Sequence, residues 1–80
     1  MKVITYVKTG CRWCMGVTKF LKEKGIAHEE KNVTDSKGNF DEMIRVSGQT
    51  KAPVVMIDEE VLADTDAESV ERYLREKGLL

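Results

Sequence analysis

A run of β-branched and aromatic residues, Val3-Ile4-Thr5-Tyr6-Val7, passes within a few positions into a segment of helical periodicity. The run reads as a strand. Beyond it, Cys14, Val17, Phe20 and Leu21 recur at the three- and four-residue spacing of one helix face, and Gly25 supplies a left-handed stop. A weaker, more polar strand follows over residues 26–33. Strand, helix and strand in that order make a β-α-β unit, whose two strands must be parallel and whose crossover is right-handed.

Gly10-Cys11-Arg12-Trp13-Cys14 occupies the turn from the first strand into the helix. A helix N-terminus presents unpaired N–H groups and a partial positive charge, and both favour a thiolate over a thiol. Free cysteine has a pKa near ~8.5, and a Cys-x-x-Cys pair in this setting commonly falls to about 7 or lower. Cys11, at the turn, is the candidate attacking thiolate. Cys14, a turn further on and on the apolar face, is the candidate resolving thiol. As a structural staple the pair is weak, because so short a loop yields only ~2 kcal/mol of chain entropy. As a zinc site it lacks ligands, since zinc wants four and the one histidine, His28, lies far along the chain. A metal shared between two chains stays open, but a β-α-β context favours redox chemistry.

The remaining pattern is short. Thr34-Asp35-Ser36-Lys37-Gly38 reads as a loop, and Asn39 with Glu42 as the start of a second helix whose inner face carries Phe40, Met43, Ile44 and Ser47. Val54-Val55-Met56-Ile57 is a continuous apolar run suited to a strand buried on both faces. Asp58-Glu59-Glu60 turns the chain into Val61-Leu62-Ala63, which must run antiparallel to the strand before it. Thr65 with Glu68 then opens a last helix lined by Ala67, Val70, Tyr73 and Leu74. The expected architecture is α/β, in the order β-α-β-α-β-β-α: a four-stranded mixed sheet flanked by three helices, in one domain over residues 1–80.

Thirteen basic and fourteen acidic residues leave a net charge of −1 without a block of either sign. That excludes the basic footprint of a nucleic-acid binder and a polybasic membrane patch. No apolar stretch reaches the ~20 residues of a membrane span, and Met1-Lys2-Val3-Ile4 carries no export pattern. A cytoplasmic location is the expectation, and in that reducing compartment a cysteine pair is usually transient and catalytic. A domain this small buries only about 60–65 % of its unfolded surface. Substrates therefore dock on the outside.

The order of elements, with Cys11-Arg12-Trp13-Cys14 after the first strand and Ala52-Pro53 before the third, resembles the thioredoxin fold in its smallest form. The resemblance is to the glutaredoxin family, and it spans essentially the whole chain. Tyr6-Val7-Lys8-Thr9-Gly10-Cys11 and Ser47-Gly48-Gln49 look like glutathione-using glutaredoxins. Lys22-Glu23-Lys24-Gly25-Ile26 and Ala52-Pro53-Val54-Val55 look closer to the NrdH-type redoxins that supply electrons to ribonucleotide reductase. Leu62-Ala63-Asp64-Thr65-Asp66-Ala67 is similar to mycoredoxins, which use another low-molecular-weight thiol.

The resemblance implies a thiol–disulfide oxidoreductase acting on protein or mixed disulfides through Cys11 and Cys14. It implies a cis-proline at Pro53 facing the redox pair, with the backbone of Ala52 pairing to an extended substrate. Lys8 matches a lysine that steers substrate carboxylates. Thr65 and Asp66 fall where glutaredoxins hold the amino end of glutathione. Arg12-Trp13 replace the usual Pro-Tyr, Lys51-Ala52-Pro53 the usual Thr-Val-Pro, and Ala63-Asp64 the usual Gly-Gly. Arg12 adds positive charge beside Cys11, and Trp13 a broad amphipathic face for a disulfide partner. Lys8, Arg12, Trp13, Lys51, Ala52, Pro53, Thr65 and Asp66 are thus the expected substrate contacts. No bound cofactor or metal is expected. Electrons would come from glutathione, another small thiol, or thioredoxin reductase with NADPH. The expected state is a monomer. The family also implies a second activity, an iron–sulfur or metal carrier in which Cys11 thiolates of two chains hold a bridging cluster.

Overall fold

The computed structural model describes Met1–Leu80. Its elements follow as β1 (Val3–Val7), α1 (Arg12–Glu23), β2 (Glu29–Asn32), α2 (Lys37–Ser47), β3 (Val54–Ile57), β4 (Glu60–Leu62) and α3 (Ala67–Glu76). The sheet runs β2-β1-β3-β4, with β1 parallel to β2, and β1–β3 and β3–β4 antiparallel. This is the four-stranded mixed sheet with three helices that the apolar pattern implies.

β1 is buried along its whole length because it is central and covered on both faces. Its alternation sorts the core into two layers. Val3 shares one with Val55, Ile57 and the inward faces of α1 and α3, namely Val17, Leu21, Val70 and Leu74. Ile4 and Tyr6 share the other with Val33, Val54 and Met43 of α2. Since side chains alternate at period two, this register directs the C-terminal end of β1 into the turn that carries Cys11.

α1 ends where the glycine signal places it. Gly25 has φ +66, its N–H donates to the Lys22 carbonyl at 3.1 Å, and the Ile26 N–H donates to Leu21 at 2.9 Å. This paired closure turns Ile26 back onto the Leu21 layer. It also shortens β2: residues 26–28 serve the helix cap and the approach, so pairing begins at Glu29 opposite Ile4. As the edge strand, β2 is exposed at Glu29 and Glu30 and half-buried at Lys31 and Asn32.

Two caps differ from the sequence reading. Ser36, not Asn39, caps α2, its Oγ accepting the Asn39 N–H at 3.2 Å. Glu42 is unavailable for a capping box because its Oε2 accepts the Tyr6 hydroxyl and the Lys31 ammonium, each at 2.6 Å. Asp66, not Thr65, caps α3, its Oδ1 accepting the Ser69 N–H at 2.8 Å. Thr65 lies just outside the helix, its N–H donating to the Pro53 carbonyl at 3.1 Å. β4 starts one residue early, because Glu60 already pairs with Ile57 across a tight turn at Asp58, φ +53.

Candidate functional site

The site is assembled where β1 gives way to α1. Gly10 takes φ +75, a conformation that an L side chain resists, and this bends the chain so that Cys11 becomes the N-cap of α1. Cys11 is extended (φ −89, ψ 113), its carbonyl accepts the Met15 N–H at 3.0 Å, and its Sγ accepts the Cys14 N–H at 3.1 Å. The sulfur thus stands in the capping position that a serine or aspartate oxygen usually fills. The same N–H and the helix dipole favour negative charge on that sulfur once the pair is reduced.

Cys11 and Cys14 form a disulfide. The partners are unequal: Cys11 is half-exposed, whereas Cys14 is 2 % exposed and sits on the inner face of α1 beside Val17 and Leu21. Between them Arg12 and Trp13 face solvent, and Trp13 is 65 % exposed.

Two clefts flank the pair. The smaller, about 300 Å³, is lined by Arg12, Trp13, Gly16, Asp66, Ala67 and Glu68, so the first turn of α1 and the start of α3 form its walls. The larger, about 540 Å³, lies between α1 and the β2 edge, with Lys8, Cys14, Met15, Lys22 and Glu30 among its lining residues. Arg12, Trp13 and Asp66 therefore share one cleft, and Lys8 borders the other. Thr65 lines neither cleft, and its N–H donates to the Pro53 carbonyl.

Lys51, Ala52 and Pro53 line neither cleft. Their loop is braced locally: Gln49 accepts the Lys51 N–H at 2.9 Å and donates to its carbonyl at 3.2 Å, while Ser47 Oγ donates to the Gln49 carbonyl. The Ala52–Pro53 peptide is cis, Pro53 is buried, and the peptide groups of Ala52 bond to no other backbone group of the chain.

The Asp66 carboxyl lies below its ordinary range, chiefly because it accepts the Ser69 backbone N–H and then the Ser69 hydroxyl. On the opposite face of the sheet, Glu42 is also lowered, first by its bond from Lys31 and then by that from Tyr6. Burial, then the Glu42 contact, pushes the Tyr6 phenol well above its ordinary value. In that second cluster Tyr6 is buried, while Lys31 and Glu42 are half-buried, and none of the three lines either cleft. From the sequence, Glu68 stands out only as a capping partner and Gly16 not at all, although Trp13 and Gly16 stand at i, i+3 spacing and so share a helix face. No group of three or more His, Cys, Asp or Glu residues is placed to hold a metal ion, and no helix is long and apolar enough to cross a membrane.

A half-exposed and a buried cysteine, three residues apart at the head of the first helix of a β-α-β-α-β-β-α sheet protein, define a thioredoxin-fold dithiol site. The glutaredoxin family model matches residues 3–62. A glutaredoxin-like 8.6 kDa protein of the rubredoxin operon of Clostridium pasteurianum is 28 % identical over 69 residues, covering 86 % of this chain and 92 % of its own. Glutaredoxin 3 of Escherichia coli is 30 % identical over 61 residues, covering 76 % and 74 %. Among solved structures, the thioredoxin-like protein BC3987 superposes with a TM-score of 0.80 at 27 % identity, covering 88 % of this chain and 96 % of that one. The chain belongs to the glutaredoxin family. Membership and the Cys11–Cys14 pair together support thiol–disulfide oxidoreductase chemistry.

Proposed function

We propose that this chain is a dithiol electron carrier that reduces protein or mixed disulfides. The carrying observation is the inequality of the two cysteines: Cys11 is partly exposed at the helix N-cap, and Cys14 behind it is only 2 % exposed. Only Cys11 can meet an external disulfide. Its thiolate attacks one substrate sulfur, forming a mixed disulfide and releasing the other sulfur as a thiolate. Cys14 gives up its proton and attacks Cys11 Sγ, which releases the substrate's second thiolate. Two electrons have then left the pair, which closes as the disulfide.

The clefts and the proline loop support a substrate lying across the pair. Lys8 and Arg12 offer positive charge on either side of Cys11, and Trp13 offers an exposed face. The free peptide groups of Ala52 suit strand-like pairing with an extended segment. Thr65 acts through its backbone, positioning the loop at Pro53, while Asp66 borders the smaller cleft. The dithiol is restored by glutathione or another small thiol, or by thioredoxin reductase; ribonucleotide reductase is one client of this chemistry.

Recycling of the oxidised pair by NADPH tests the proposal with two donor systems, glutathione with its reductase and thioredoxin reductase alone. Turnover by glutathione alone assigns the smaller cleft to a small thiol. Turnover by thioredoxin reductase alone leaves Asp66 as a helix cap only. A disulfide that neither system nor a synthetic dithiol reduces would contradict an electron-carrying role.

A further inference from the structure

One face of α1 carries residues that electron carriage does not use. Met15, Thr18, Lys19 and Lys22 stand at i, i+3, i+4 and i+7, so their side chains share a helix face, and all four line the larger cleft beside the β2 edge. Met15 is apolar yet 60 % exposed, and Lys19 and Lys22 are exposed as well. Lys8 and Gly10 line the same cleft from the end of β1, so it begins one residue before Cys11.

Charge is distributed along the chain in the same sense. Residues 1–24 hold Lys2, Lys8, Arg12, Lys19, Lys22 and Lys24 against Glu23 alone, whereas from residue 25 onward acidic residues outnumber basic ones. Within the cleft, Lys8 and Lys22 enter no ion pair, and Lys19 meets only Glu23, at 3.8 Å between two exposed side chains. Glu30, the other carboxylate of the cleft, accepts the Thr18 hydroxyl at 2.9 Å. The three lysines are therefore available to carboxylates from outside.

We propose that the cleft between α1 and β2 is a docking groove for an acidic segment of a protein partner, close in sequence to the partner's reacting cysteine. Lys8, Lys19 and Lys22 meet its carboxylates, and Met15 supplies a polarizable, adaptable apolar contact. From Met15 to Lys22 the helix rises about 10 Å, the span of about three extended residues. A nucleic acid fits poorly, because Glu23 and Glu30 interrupt the basic track that a run of phosphates needs, and the acidic remainder of the chain repels it. Exposed ion pairs are individually weak, so the groove acts on association and KM and is sensitive to salt. That docking serves disulfide exchange rests on the proposed electron carriage; the binding itself does not.

Binding is therefore measured first without redox chemistry, on the oxidised full chain, by NMR titration with a glutamate-rich peptide whose cysteine is replaced by serine. Counterparts carrying glutamine or lysine, and a single-stranded oligonucleotide, are titrated in parallel. At low salt the glutamate peptide should bind about tenfold tighter than the glutamine one, move the amides of Met15, Thr18 and Lys22, and lose its advantage at high salt. The double variant Lys19→Gln, Lys22→Gln keeps helix propensity and should erase the preference. With disulfide-bonded forms of the peptides, the same variant should lose the KM advantage of the glutamate substrate while turning over hydroxyethyl disulfide at the parent rate. A parent chain that binds the peptide but cycles no disulfide would refute the electron carriage and leave the groove standing. Equal affinity for the glutamate and glutamine peptides, shifts confined to the smaller cleft, or tighter binding of the oligonucleotide would overturn the groove.

Discussion

Replacing Asp66 by alanine removes the carboxylate oxygen that accepts the Ser69 N–H at 2.8 Å at the head of α3. Loss of such a cap costs about 1 kcal/mol, within a range of roughly 0.5–2 kcal/mol. In a domain of this length each kilocalorie shifts the melting temperature by about 4–8 °C, so Asp66→Ala should melt about 5 °C early. Asp66→Asn keeps an oxygen acceptor in the same place and should melt within about 2 °C of the parent. The two variants separate cap from charge. Because the folded carboxyl is held below its ordinary 3.8, its ionic contribution is complete above that value. It disappears as pH falls through the lower folded value. The stability gap between the parent and Asp66→Asn should therefore be flat near neutrality and close in acid. In the glutathione-coupled assay, Asp66→Asn should raise KM for glutathione with kcat preserved, because the smaller cleft loses one of its carboxylates and not its shape. An Asn variant as unstable as the Ala variant would refute the capping account. An unchanged KM would remove Asp66 from ligand binding.

Glu42→Ala leaves the Tyr6 hydroxyl, on a residue 1 % exposed, without its acceptor. Urea unfolding should show a loss of about 2 kcal/mol, against about 1 kcal/mol for Tyr6→Phe. Since the Glu42 pKa is depressed in the folded state, its contribution should be complete above the ordinary 4.5 and lost as pH falls through the folded value, seen as a steeper acid decline in the parent than in Glu42→Ala. Arg12→Ala should move the pH midpoint of Cys11 alkylation by iodoacetamide upward, because a cation beside the thiolate is lost. Trp13, the only tryptophan, adjoins the disulfide, so its emission should rise on reduction and follow the redox state in real time.

The parts of the fold legible in the sequence are those fixed by local periodicity. β1, α1 and β3 announce themselves through apolar runs and a helical face, and Gly25 ends α1 as its residue type suggests. Cap register is harder, because neighbouring residues offer the same chemistry. Ser36 and Asn39, or Thr65 and Asp66, each satisfy a capping pattern, and the choice is made by distant partners. Glu42 is drawn to Tyr6 and Lys31, and the Thr65 amide to Pro53. The extent of β2 is likewise set from outside, by the helix closure that occupies Ile26. At the site, the redox pair is local and readable. The meeting of Trp13 with Asp66 and Glu68 in one cleft depends on how α1 and α3 pack on the same sheet face, which no short window encodes.

The unequal roles of the cysteines are tested most directly by trapping. Cys14→Ser and Cys11→Ser proteins are each reduced, mixed with a small disulfide-bonded protein, quenched with acid and weighed by intact mass spectrometry. Cys14→Ser should accumulate a one-to-one mixed disulfide through Cys11, and Cys11→Ser should form none on the same timescale. Adduct formation at comparable rates by both variants, or by Cys11→Ser alone, would contradict the assignment of Cys11 as nucleophile and Cys14 as the buried resolving thiol.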